Sequence, residues 1–292
     1  MNRKTVSFAN QRGLRVKGIL FEPDAPTASD APPRHKTGIL YLPGIVLGLT
    51  AVHRLSVQVA TEFQQLGYPV FLFDHSGIGE SEGDLFSGPY DEFVSFIKRG
   101  SLVDDTLEAV DYFAKCCGLR EVVLIGHCGG ALTAVYATEK SKKISRLLLI
   151  SPPLVGESTE ATGMSKAQSK EYLALYKHKL FSVSAWSRLF SGKSDYRQIL
   201  RMVRAKVFRK RGGGVADDGR LNKPLLDGLA SAGRRIDVKI IYGDRDPGIE
   251  EFRGWQEQFS RWRIRTTVIP NASHGFVTDE SMTILMSELK AS

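Results

Sequence analysis

VVLIGHCGGALTAVY, residues Val122 to Tyr136, decides the fold. A β-branched apolar run ends in Gly126-His127-Cys128-Gly129-Gly130, and small, helix-compatible residues follow. The order reads as strand, one very tight turn, then helix. Glycines two positions before and two after Cys128 remove the side chains that would collide where a strand reverses so sharply, and they leave the central residue raised at the turn. This is the nucleophile-elbow pattern G-x-S-x-G with a cysteine in the serine's place. The helix that follows aims its free N–H groups at any negative charge forming near the sulfur. Taken alone, the same five residues also describe an ordinary strand-to-helix turn with a buried cysteine. The choice between the two depends on partners elsewhere in the chain.

Outward from this stretch, apolar strands alternate with amphipathic helices. Lys4 to Ala9 and Arg15 to Glu22 read as a hairpin turning at Gln11-Arg12-Gly13. Pro23 to Lys36 is a loop by composition. GILYL, residues 38–42, is a buried strand running into Pro43-Gly44-Ile45-Val46, and Val52 to Leu66 has helical spacing. VFLFD (70–74) is the next strand and opens into a glycine-rich turn, His75 to Gly83, which lacks a phosphate-loop lysine at the right spacing. A helix over about Ser101 to Cys117 precedes the strand that feeds the elbow, and Ile144 to Ile150 is the strand after it. Such alternation predicts an α/β fold, a mostly parallel central sheet with helices on both faces.

After Pro153 the pattern changes. Up to about Arg235 there is no buried strand, but there are helical segments bearing Tyr172, Tyr176, Trp186 and Phe190, and a glycine run at 212–214. This predicts a helical cap over 154–235, inserted into a core made of 1–153 and 236–292. From Lys166 to Arg211 thirteen Lys and Arg stand against Glu171 and Asp195, a net of +11 in a chain whose total is +8, so the remainder stands at −3. A run of this kind is a solvated face or a docking surface for an anionic partner. The sheet resumes with VKIIY (238–242), which enters Gly243-Asp244-Arg245-Asp246-Pro247. A helix over about Glu250 to Trp262, a strand over Arg265 to Ile269, the loop Asn271-Ala272-Ser273-His274-Gly275 and a last helix complete the chain.

Cys128, Asp246 and His274 therefore fall after three strand ends, the edge of an open parallel sheet where sites form. Nucleophile, acid, histidine is the order used by α/β-hydrolases. His274 would take the thiol proton while the carboxylate holds the imidazole in the useful tautomer and stabilises its charged form. Asp246 is preferred to Asp244 and Glu250 because it lies three residues past Gly243, deep enough in the loop to reach a histidine on the adjacent strand end. Asp244 suits turn stabilisation. Donors for an oxyanion are expected from the N–H of Gly129 and from Ile45, after Pro43-Gly44.

FDHSGIGESEG, GHCGG, GDRD and ASHGF, in this order and spacing, resemble the α/β-hydrolase superfamily across nearly the whole chain. The cysteine, LPGIVLGLTAVHR and WSRLFSGKSDYR are similar to the exosortase-associated bacterial hydrolases. The resemblance implies Cys128 as nucleophile, Asp246 as acid and His274 as base. Two positions depart from the commoner pattern: Cys128, where serine is usual, and Ser76, where the turn usually carries arginine.

With sulfur as nucleophile the covalent intermediate is a thioester, which passes its acyl group to water, amines, alcohols or thiols. The expected activity is cleavage of an acyl ester or thioester, with acyl transfer as the alternative enzyme and a non-catalytic binding protein as the alternative outside catalysis. The expected partner is a small-molecule acyl substrate, and coenzyme A or an acyl carrier protein, both anionic, would suit the basic cap. No cofactor or metal is expected, and no nucleic acid, since the basic run lacks zinc, helix-turn-helix or sheet-aromatic signatures of nucleic-acid binding. Three cysteines without a disulfide framework, an opening MNRKTVSFANQRG without an apolar run, and no bilayer-length apolar segment make the cytoplasm the expected location.

Overall fold

The computed structural model describes residues 2–23, 36–44, 54–84, 90–155 and 222–292. Met1–Val155 and Asn222–Ser292 make one compact unit. Gly156–Leu221, with most of the expected cap and all of its basic window, lies outside the described residues.

Eight strands form one sheet: β1 (Asn2–Ala9), β2 (Arg15–Glu22), β3 (Thr37–Leu42), β4 (Val70–Phe73), β5 (Glu121–His127), β6 (Ile144–Ile150), β7 (Asp237–Gly243) and β8 (Ile264–Ile269). Their spatial order is β1-β2-β4-β3-β5-β6-β7-β8. The first two pairings, β1 with β2 and β2 with β4, are antiparallel, and every pairing from β4 onward is parallel. The central strands are covered on both faces, which is why they read as unbroken apolar runs rather than as alternation.

The helices are α1 (Leu55–Gln65), α2 (Tyr90–Lys98), α3 (Val103–Cys117), α4 (Gly129–Lys140), α5 (Lys223–Arg235), α6 (Ile249–Arg261) and α7 (Asp279–Lys290). One face of the sheet, with Ile39, Tyr41, Val123, Ile125, Leu148, Ile150 and Ile241, packs on Leu55, Val59 and Phe63 of α1 and Leu285 and Met286 of α7. On the other face a Cβ at Gly38 would meet Phe113 of α3, and Tyr242 stacks on Phe252 of α6 with centroids 4.4 Å apart.

Two readings shift. Residues 223–235, assigned to the cap, form α5 within the same compact unit as the sheet. Asn222 caps this helix by accepting from the Leu225 N–H, and Gly228 lets it approach α4 so closely that a Cβ there would sit 2.7 Å from Val135. The stretch between β4 and α3 also holds α2, a helix absent from the sequence reading.

Candidate active site

Cys128 stands between the last residue of β5 and the first of α4, with φ 51° and ψ −116°. That region is costly for any residue with a Cβ, by about 1–3 kcal/mol. The surroundings over-determine it. The Cys128 N–H donates to the Ile150 carbonyl at 2.8 Å, and its own carbonyl accepts from Ala131 at 3.0 Å. The flanking glycines are obligatory: a Cβ on Gly126 would lie 2.6 Å from the Gly130 carbonyl oxygen, and one on Gly130 would lie 2.1 Å from that of Leu42. The second contact also brings the chain leaving β3 against the elbow, and Gly44 comes so near that its Cβ would be 3.5 Å from that of Cys128. Ile45, the expected second oxyanion donor, lies outside the described residues. Gly129, the first residue of α4, has an N–H with no acceptor inside the helix.

Asp246 and His274 come together. His274 Nδ1 lies 2.7 Å from Asp246 Oδ2, across the loops that follow β7 and β8. The Asp246 side chain is buried, and Ser151 Oγ donates to the same oxygen at 2.6 Å while the Gly248 N–H donates to Oδ1 at 2.8 Å. Burial alone would raise its pKa. The hydrogen bond and charge of His274, with the donors Ser151 and Gly248, outweigh it and hold the carboxyl below its usual range. The other acids stand apart: Glu250 pairs with Arg253 at 2.8 Å, and Asp244 Oδ1 is buried without a partner among the described residues.

His274 remains 28% exposed, open enough to meet a reactant. Burial pulls its pKa down, but the charge of the neighbouring Cys128 sulfur, the hydrogen bonds to Asp246 and Cys128 and the Asp246 charge push it well above the ordinary histidine value. His274 is thus joined to Asp246 by a hydrogen bond and has Cys128 as a neighbour that shifts its titration. Two further residues, missed in the sequence, support it. Ser151, at φ 48° just past β6, orients Asp246. His127 lies beside Cys128 with its ring 5.3 Å from that of His274, and its Nε2 meets the His274 carbonyl oxygen at 3.0 Å. Their sequence signals were a polar residue ending an apolar strand and a histidine inside the elbow.

The departure at Ser76 has a local counterpart. Asp105, at the start of α3, accepts from the Ser76 N–H at 2.8 Å, from Asn10 at 2.9 Å and from the Arg12 guanidinium at 3.3 Å. The glycine-rich turn is thereby tied to the β1–β2 hairpin and to α3.

This topology, with a strained elbow after the fifth strand and acid and histidine after the seventh and eighth, is the α/β-hydrolase fold. A family model described as the alpha/beta hydrolase fold matches residues 39–175. The polyketide transferase af380 of Aspergillus fumigatus is 27% identical over 157 residues, 52% of this chain and 46% of that protein. The chain thus spans about half, or less, of the length of the curated relatives it matches. Among solved structures, the Pyrococcus furiosus esterase Pf2001 superposes with a TM-score of 0.62 at 16% identity, over 99% of this chain and 88% of that one. The α/β hydrolase GrgF from Penicillium sp. sh18 does so with 0.58 at 17%, over 99% and 97%. Among the described residues no helix is long and apolar enough to cross a membrane.

Proposed function

We propose that this chain is a cysteine-dependent enzyme of the α/β-hydrolase fold that cleaves an acyl ester or thioester through a covalent thioester on Cys128. The observation that carries the reading is Cys128 held at φ 51° beside an imidazole whose Nδ1 is 2.7 Å from Asp246. His274 Nε2 takes the thiol proton and Asp246 stabilises the resulting imidazolium. The sulfur bonds to the acyl carbon, and the oxyanion is received by the Gly129 N–H and by that of Ile45. Collapse expels the alcohol or thiol, which leaves with the proton from His274. Water then gives a proton to His274, attacks the thioester and releases the acid, returning the proton to sulfur. Removing one oxyanion donor costs about 3–4 kcal/mol in related chemistry.

The similarity of LPGIVLGLTAVHR and WSRLFSGKSDYR to exosortase-associated bacterial hydrolases supports a cysteine nucleophile and points to a bacterial envelope substrate. The +11 window from Lys166 to Arg211 suits an acyl group carried on coenzyme A or an acyl carrier protein. The three cysteines are free thiols, as fits a reducing cytoplasm.

Acyl transfer is the second reading, favoured by the name of the Aspergillus relative, a polyketide transferase. A purely binding role fits poorly with three filled triad positions. Intact mass measured after incubation with a panel of acyl thioesters tests the proposal. An acyl adduct on Cys128 is expected in the native chain and none in Cys128→Ala, and undiminished turnover by that variant overturns the reading. An added amine or thiol that diverts the acyl group from water selects transfer.

A further inference from the structure

Cys116 and Cys117 close α3 just before Gly118, which caps the helix in the left-handed conformation at φ 62°. Neighbouring residues on a helix do not ordinarily face each other. Here the two Sγ atoms converge to 3.8 Å, with Cys116 exposed and Cys117 half-buried.

Such a pair resists becoming a disulfide. Consecutive Cα atoms are about 3.8 Å apart across a trans peptide, whereas unstrained disulfides span about 4.4–6.8 Å. Burial and the adjacent Cys116 push the Cys117 thiol up to about 12, which keeps it protonated at neutral pH. The dithiol therefore persists, with two soft donors converging at the surface.

We infer that Cys116 and Cys117 form a two-sulfur binding site for a thiophilic metalloid of the trivalent organoarsenical class. Two thiols suffice for this class because the organic substituent is the third bond on arsenic. A four-ligand metal such as zinc needs more, and among the described residues no group of three His, Cys, Asp or Glu gathers to hold one. The step balances without oxidant or reductant: an arsenoso compound and two thiols give two arsenic–sulfur bonds, and the oxygen leaves as water with both thiol protons. Arsenic stays trivalent throughout. The first bond holds arsenic beside the second sulfur, an intramolecular closure whose effective concentration is about millimolar or higher.

The site is separate from the elbow. Cys117 precedes β5 and Cys128 follows it, so a seven-residue strand stands between them, roughly 20 Å at about 3.3 Å per residue.

Phenylarsine oxide added in equimolar amount to the folded chain, read by intact mass, is the test. One phenylarsenic per chain is expected in the native protein and in Cys128→Ala, retained through millimolar glutathione and released by ethanedithiol. Cys116→Ser and Cys117→Ser should each lose at least tenfold of the glutathione-resistant adduct while their circular dichroism is unchanged. Full retention in either serine variant, loss of the adduct in Cys128→Ala, or no retained adduct in the native chain overturns the inference, whatever the fate of the proposed activity.

Discussion

His127 Nε2 donates to the main-chain carbonyl of His274 at 3.0 Å, so the residue preceding the candidate nucleophile holds the backbone of the candidate base. A carbonyl oxygen only accepts, so this nitrogen carries the proton. Burial and the adjacent His274 push His127 down to about 4, which keeps it neutral at neutral pH. The two imidazoles, 5.3 Å apart, are thus shifted in opposite directions, His127 down and His274 up.

Replacing His127 should slow the chemistry without removing any reacting atom. An unpaired buried carbonyl costs about 1–3 kcal/mol, and each 1.4 kcal/mol is about tenfold in rate. His127→Leu is therefore expected to lower Cys128 alkylation by iodoacetamide by about tenfold to a hundredfold, with His127→Gln, which keeps a donor, recovering most of it. Equal rates in all three proteins would show that the contact does not position the base.

Acid stability follows from the same burial. His75, packed on Phe73 and hydrogen-bonded to Thr106 at 3.0 Å, is pushed down to about 4 by burial against the opposing pull of Asp105. His75 and His127 are both depressed from 6.5 when folded. Below that value the unfolded chain binds protons that the folded chain refuses. Their stability contribution is complete above pH 6.5 and is lost as the pH falls toward 4, with a slope of up to about 1.4 kcal/mol per pH unit for each. The depressed carboxyls of Asp105 and Asp246 act in a separate window, below the 3.8 of the unfolded chain. Melting temperature should decline between pH 6.5 and 4.5, and less steeply in His75→Gln. A flat profile refutes the assignment.

How far the sequence reached depended on whether a signal was local. Strand, elbow and helix around Cys128 were legible because glycine spacing and apolar runs act within a few residues. The pairing of Asp246 with His274 was legible because both lie just past strand ends. Ser151 and His127 were not, because their roles exist only once the strands from β5 to β8 lie side by side. That residues 223–235, read as cap, form α5 in the same unit as the sheet was not legible for a related reason. KPLLDGLASAGRR carries charges at both ends, and its buried face, Leu225, Leu226, Leu229 and Ala232, gains meaning only against the core.

Asp246 and Ser151 should separate by magnitude. Asp246→Asn keeps the shape but removes the charge and the preferred tautomer of His274, and the comparable change in serine enzymes costs about 10⁴ in turnover. Ser151→Ala removes one of two donors to Asp246 Oδ2 and should cost about tenfold or less. Ester cleavage by the two variants checks this. Comparable losses would mean that Ser151 does more than orient the carboxylate.

Cys128 is among the neighbours that raise the His274 pKa, so the His274 titration should respond to residue 128. In Cys128→Ala the His274 midpoint, followed by NMR of the ring proton, should fall toward the ordinary value. The stability tied to a raised histidine is fully present below its unfolded pKa of about 6.5 and is lost as pH rises through the folded value. Native chain and variant should therefore differ most in melting temperature near and below neutrality and converge on the alkaline side. An unmoved midpoint would place the source of the shift in Asp246 alone.

The elbow itself predicts a trade between stability and activity. At φ 51° and ψ −116° Cys128 carries strain that glycine does not. Cys128→Gly relieves about 1–3 kcal/mol of it, less about 0.4–1 kcal/mol for the added freedom of the unfolded chain. A net gain of about 1 kcal/mol would raise the melting temperature by about 2–4 °C. Cys128→Ala keeps the Cβ and should gain nothing by this route, so the difference between the two variants isolates the backbone term. Both should lack the acyl adduct. If glycine is no more stable than alanine at residue 128, the turn is not strained there, and the argument that a costly conformation is maintained for chemistry falls with it.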